Sequence, residues 1–368
     1  MKYWRGFLVA GILGACTWGL LEFAKTHTVL IDMVFPYISR MICSSAAEWS
    51  ASVSFCLWQV LLVGIGVGVL AFIALAIALR WNLIQVTGWI AAVASVVVLF
   101  NTGIFGINKY SGPLSDDIHL EVIEYDIVQL EKAATYFLEN AVALEQTILS
   151  ADGTAPDFEA LAEAAWKGYD SLVYKEAYSV FAGSHVPVKK LGWASYYTKS
   201  GTTGVTVPLT GESAVNPNVP EVLLPFSICH EMAHRMSIHP DRDANLAAFL
   251  SCRANENPYF AYSGYLNAYR YCFNALKSLS SEVAVAATNK LSAMESAKIT
   301  ADLSAIDSFY RGAEDSVTYR ENVQLLVSWY IQEIYFPVYG DDSPAFDPLD
   351  ESQVDLSGNV NAKLPANG

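Results

Sequence analysis

The sequence predicts a mainly α-helical protein: apolar N-terminal helices of membrane-spanning length, then a helical, water-facing domain with one small edge β-hairpin. Three observations predict it. Charge is scarce and uneven. Of 368 residues, 53% are hydrophobic and only 16% charged, against about 25% charged in ordinary soluble domains. Before residue 106 the charged side chains are Lys2, Arg5, Glu22, Lys25, Asp32, Arg40, Glu48 and Arg80, which leaves the acidic excess (net −15 over the whole chain) to the remainder. Three apolar runs, 4–21, 57–79 and 87–107, approach or exceed the roughly 20 residues needed to cross a bilayer. Beyond them, apolar residues recur mostly at helical spacing.

The first run, WRGFLVAGILGACTWGLL, follows Lys2 and includes Arg5, a basic start that a signal peptide would share. Its apolar stretch is long and lacks a small-x-small cleavage site, so an uncleaved anchor is expected. The runs 57–79 and 87–107 flank Arg80. Arg80 and the Lys2/Arg5 pair are expected on the cytoplasmic side by the positive-inside rule. Three crossings then make the chain a multi-pass protein of the cell membrane, with the acidic domain from about residue 108 outside the cytoplasm. Between the first two runs, Leu30, Met33, Val34, Tyr37, Ile38, Met41 and Ile42 share one helical face, interrupted by Pro36. They predict a short amphipathic segment at the interface or beneath the domain. Nucleic acid is excluded as a partner, because an acidic domain repels it. The six cysteines form no CxxC pair, which argues against a thiolate metal knuckle.

A helix is expected over 116–149, with Ser115 as its N-cap, and another over 157–178 after the DGTAP turn. Residues 186–220 change character, being rich in Gly, Pro, Thr and Val. Within them WASYYT and TGVTVPLT read as two strands joined by Lys199-Ser200-Gly201, the second an edge strand because it contains Pro208. Helices are expected from 221 to about 336. The acidic tail 337–368, with its Pro and Gly, is expected to be disordered.

The stretch LPFSICHEMAHRMSIHPDRDANLAAFLSC carries the chemistry. Its HExxH run places His230 and His234 one helical turn apart on one face, where both imidazoles can hold a single Zn2+ ion. Glu231 falls on a neighbouring face, within reach of water as a general base but not itself a ligand. The surrounding residues are apolar, and a buried helix carrying His, Glu and His needs a cation to compensate its polar groups. His239 sits one place early for the pattern HExxHxxGxxH, and Ser237 stands where that pattern has Gly. A carboxylate from the following helix is the other solution. Asp241 and Asp243 are both in reach; Asp241 reads as a cap or first-turn residue beside Pro240, so Asp243 is taken as the third ligand and Asn245 as its supporting neighbour.

These residues resemble a family of bacterial membrane proteins, domain of unknown function family 3810, grouped with HExxH zinc peptidases. The likeness runs through the apolar spans, NTGIFGINKYSGPL (101–114), TGVTVPLTGESAVNPNVPEVLLPF (203–226), the motif stretch, FAYSGYLNAYRYCFNAL (260–276) and DSVTYRENVQLLVSWY (315–330). The resemblance implies a Glu-Ala-Asn triplet after the motif helix, matched here by Asp243-Ala244-Asn245, and an α-rich, zincin-like (gluzincin-type) domain. It supplies no substrate. Tyr262 and Tyr265 are candidate oxyanion donors. Glu212 and Asn216, on the edge hairpin, are candidates for contacting a peptide or protein substrate by strand addition. The expected function is a membrane-anchored zinc metallopeptidase; the other reading is a non-catalytic metal-binding or sensory membrane protein. Glu231 favours the first, since a binding module has no use for a general base.

Overall fold

The computed structural model describes residues 2–150, 156–310 and 316–339. Four helices open it: α1 (Arg5–Thr26), α2 (Thr28–Ser50), α3 (Leu57–Ala78) and α4 (Leu83–Ile104). Each is long and apolar enough to cross a membrane by length and composition. The segment expected as a short amphipathic piece is thus a full 23-residue helix, α2, which continues through Pro36. α1 and α4 run side by side in the same direction, Gly6 against Gly88 near one end and Leu20 against Gly103 near the other. A Cβ on Gly6 would meet the Gly88 carbonyl carbon at 2.3 Å, the close backbone approach that small residues allow between membrane helices.

The rest is mainly helical: α5 (Leu114–Asp117), α6 (Ile127–Ser150), α7 (Phe158–Ala164), α8 (Trp166–Lys175), α9 (Ala194–Lys199), α10 (Leu224–Arg235), α11 (Asp241–Ala254), α12 (Pro258–Ser278), α13 (Glu282–Met294), α14 (Ala297–Tyr310), α15 (Ser316–Tyr330) and α16 (Phe336–Tyr339). Three strands, β1 (Lys189–Lys190), β2 (Gly204–Val207) and β3 (Glu212–Val215), form one small sheet in the order β1-β3-β2. β2 pairs antiparallel with β3, Thr206 opposite Ser213, and β1 pairs parallel with β3 on its other side.

The buried centre is α11, wrapped by α6, α8, α10, α12 and α15. Phe249 of α11 meets Phe137, Tyr265 and Trp329 edge to face, with ring centroids 4.8–5.8 Å apart. Such contacts add about 0.5–1.5 kcal/mol each beyond the area they bury. α10 starts with Pro225 in its first turn, where the missing N–H costs nothing. It ends at Arg235, and Ser237 just beyond takes a left-handed φ of 73° that turns the chain towards α11.

Two expectations about local structure are corrected. The helix expected from 116 begins at Ile127. After the single turn α5, His119 takes a left-handed φ of 56°. The chain then runs extended, its Glu121 and Ile123 N–H groups donating to Gln332 and Ser328. Those remote side chains satisfy the backbone that a helix would otherwise satisfy, so the apolar spacing at 118–123 has no helical consequence. WASYYT is not a strand: after left-handed Trp193 it closes the short helix α9, its aromatic content overridden by local turn bonds. The hairpin is β2 with β3, and Pro208 lies in its turn, outside the ladder. TGVTVPLT does supply an edge strand, as expected. All six cysteines are free thiols. The expected tail and turn at DGTAP fall largely on residues 340–368 and 151–155, outside the described residues.

A buried ion pair ties the sheet to α3. Glu212 Oε1 accepts from Lys189 Nζ at 2.6 Å and from the Leu57 amide at 2.7 Å, and Oε2 accepts from the Trp58 amide at 2.8 Å. The carboxylate so caps the positive end of the helix dipole. Lys189 also donates to the Ser50 and Phe55 carbonyls. Glu212→Ala is expected to destabilise the protein by about 3–5 kcal/mol, because it leaves the buried lysine unpaired. Denaturant unfolding of the detergent-solubilised protein measures this; an unchanged midpoint would show that the pair carries no net stability.

Candidate metal centre

α10 and α11 are joined by residues 236–240, and that short link builds the site. His230 Nε2 and His234 Nε2 lie 3.1 Å apart. Asp241, in the first turn of α11, brings Oδ1 to 3.3 Å from His234 Nε2 and 3.9 Å from His230 Nε2. Among the described residues, these three form the cluster of His, Cys, Asp or Glu side chains whose ligand atoms converge.

The remaining ring nitrogens are already engaged. His230 Nδ1 lies 2.8 Å from Asn245 Oδ1, and His234 Nδ1 lies 2.8 Å from the Ile238 carbonyl, brought there by the turn at Ser237. An oxygen of either kind can only accept, so the proton sits on Nδ1 and the Nε2 lone pair faces the cluster. Two lone pairs and a carboxylate oxygen thus meet with like polarity. The arrangement calls for positive charge: a proton on His234, or a divalent cation. Burial and the neighbouring His234 push His230 down to about 3, so it stays neutral and ready to ligate. For His234, burial lowers the pKa, but Asp241 and Glu231 together raise it above the ordinary histidine value. Asp241 is lowered, chiefly by its contact with His234. Spacings of 3.1–3.9 Å are those at which three side chains could share one small cation, since nitrogen ligands at 2.0–2.1 Å in a tetrahedron stand about 3.3 Å apart.

Glu231 is buried and directed at the sheet. Its Oε2 accepts from the Thr206 hydroxyl at 2.6 Å, and the Ser213 hydroxyl donates to its backbone carbonyl at 2.8 Å. The side chain lies directly over Gly204, where a Cβ would come 2.6 Å from Oε1; this close approach requires the glycine. Burial, opposed by His234 and by Thr206, raises Glu231 to about 6. The cluster opens into a cavity of about 530 Å³ lined by β2, by Phe105 at the end of α4, and by Tyr271, Tyr310 and Tyr319.

The third carboxylate differs from the sequence expectation. Asp243 does not meet the histidines. It is buried on another face of α11, where Oδ2 accepts from the Leu114 amide at 3.1 Å and Arg242 Nε lies 3.3 Å from Oδ1. Positions two apart on a helix point about 200° apart, so only one of Asp241 and Asp243 can face α10. Asp241 is the first helical residue of α11, a first-turn position as expected, while Pro240 holds the N-cap position.

Asn245 stands where a supporting residue should, and its Nδ2 donates to Asn322 Oδ1 at 3.3 Å. Asn245→Ala is expected to weaken metal binding about 10–100-fold, read by competition with a chelating dye; unaltered affinity would show that the amide does not orient His230. Glu212 and Asn216 are held away from the cavity. Glu212 anchors α3, and Asn216 bonds Thr198, Thr202 and Asn218 to shape the turn after β3. Tyr262 donates to Asp302, and Tyr265 packs in the aromatic core. Neither borders the cavity; the tyrosines that do are 271, 310 and 319. Sequence reading missed Gly204, Thr206, Ser213 and Asn322. Gly204 and Thr206 share one face of a strand by its period of two, which was a usable signal. Asn322, 77 positions from Asn245, had none.

Fold and site together define a mainly helical protein whose N-terminal helices suit a bilayer and whose His–Glu–His helix meets an aspartate from the next helix. The chain belongs to the family described as "Protein of unknown function (DUF3810)", whose model matches residues 31–331. No curated protein and no solved structure matches it.

Proposed function

We propose that the protein is a membrane-anchored zinc metallopeptidase whose metal is held by His230, His234 and Asp241. The observation that carries this reading is the convergence of three metal-competent atoms beside a buried carboxylate that does not join them. Zinc bound there would polarise a peptide carbonyl and make water acidic near neutral pH. Glu231 takes the proton from the attacking water and delivers it to the departing amine nitrogen as the C–N bond breaks. Thr206 fixes the carboxylate for that transfer by holding Oε2. β2 is the outer strand of its sheet and lines the cavity, so an extended substrate can add its backbone to the free edge. Purified full-length protein is expected to contain about one zinc per chain and to cleave unstructured polypeptides in a chelator-sensitive way; metal-free protein that resists loading would defeat this reading.

The domain is proposed to lie outside the cytoplasm. Lys2 and Arg5 precede α1, and Arg80 occupies the link between α3 and α4, both favouring the cytoplasmic side. A reporter active only after export is expected to be active when fused at Gly340 and inactive at Asn82. The opposite pattern would place the site in the cytoplasm.

A further inference from the structure

The helix α2 does not behave as a crossing helix. It is bonded to the water-facing domain along most of its length. Asp32 accepts from the Gly112 amide, Ser39 from Asn108, and Arg40 donates to the carbonyls of Ser179, Val180 and Ala182. Further along, the Ala46–Ala47 backbone packs against Gly211 in the hairpin turn, and the Ser50 carbonyl accepts from Lys189. From Asp32 to Ser50 is about 27 Å at 1.5 Å per residue. A helix passing through hydrocarbon has no such partners beside it. Its two ends also lie on one side: it starts after the C-terminal end of α1, which adjoins the C-terminal end of α4, and ends before the N-terminus of α3, which Glu212 caps from the domain.

The opposite face of α2 is apolar and exposed. Val29, Met33, Tyr37 and Met41, at helical spacing, are each 60–73% accessible. α1, α3 and α4 likewise expose large apolar side chains, and lipid is the occupant the α2 face suits: a helix lying in the interface plane with its apolar side down.

The candidate metal centre lies close to the same plane. α4 has 22 residues, about 33 Å, which matches the roughly 30 Å hydrocarbon core. Phe105, its C-cap, therefore stands at the edge of the bilayer. Phe105 lines the cavity and stacks on His239 with centroids 4.8 Å apart, and Asp241 follows two residues later. Phe105 and the cluster line one cavity, so only a few residues of extended chain separate them.

Resting on the peptidase reading above, we infer that the substrate is a membrane-anchored polypeptide, cut within the first few residues beyond the bilayer surface. Such a chain leaves the lipid beside Phe105, passes the cluster, and pairs with the edge of β2.

The test uses the full-length protein in phospholipid vesicles with zinc supplied. Its substrates are one unstructured peptide sequence presented free in solution, or joined to a 20-residue apolar helix through spacers of two, four, eight and twenty residues. Cleavage is expected to be fastest with spacers of two to four residues, and at least tenfold slower with twenty or with the free peptide. Equal cleavage of all forms, abolished by Glu231→Gln, would overturn the membrane-substrate inference while leaving the peptidase reading intact. No cleavage of any form by zinc-loaded protein would overturn both.

Discussion

Glu231→Gln is expected to hold zinc at the parental stoichiometry and to hydrolyse peptide about 10²–10⁴-fold more slowly, the usual contribution of a positioned general base. Glutamine keeps the shape that fits over Gly204 and can still accept from Thr206. It has no basic site for the proton of water. Because Glu231 touches neither ligand-forming histidine nitrogen, the two effects should separate cleanly. Metal analysis and turnover on one preparation decide the matter. A variant working at the parental rate would remove Glu231 from the mechanism. The sign of the pH dependence follows from the same residue. Burial raises its pKa to about 6 in the metal-free protein and a bound dication would lower it, so the base is protonated and idle in acid, and the rate of the zinc-loaded protein should climb as pH rises towards 6.

Asp241→Ala is expected to weaken zinc binding about a hundredfold. A closed structural zinc site is worth roughly 10–16 kcal/mol over four ligands, so one ligand carries about 3 kcal/mol. Asp243→Ala should change zinc affinity only slightly and act on the fold instead. It removes the acceptor for the Leu114 amide, a buried group whose loss costs about 1–3 kcal/mol. Zinc titration and thermal unfolding of both variants separate these effects. Should Asp243→Ala lose the metal and Asp241→Ala keep it, the face that α11 presents to α10 would be misassigned by about half a turn.

How much of this was legible follows the range of the interactions. The His230–His234 pair and the neighbouring role of Glu231 come from helix period alone. Every helix puts positions i and i+4 on one face, so no tertiary contact is needed to pair them. The apolar runs of α1, α3 and α4 were legible because a bilayer demands length and composition, both local quantities. The apolar face of α2 was equally plain at Leu30, Met33, Tyr37 and Met41, although its full length was not. Its polar face, with Asp32, Ser39 and Arg40, makes sense only against partners 69 to 142 positions away.

The choice between Asp241 and Asp243 shows the limit most clearly. Both lie in the first turn of α11, two residues apart, and each is a plausible ligand on spacing. What separates them is the left-handed turn at Ser237 and the packing of α11 against α10, which orient the helix about its own axis. Tertiary packing likewise brought Thr206 and Gly204 to Glu231, Asn322 to Asn245, and the end of α4 to the rim of the cavity. Local periodicity determined which residues could act together on one helix; rotation and placement of one element against another decided which of them meet, because those depend on contacts that no window of the sequence contains.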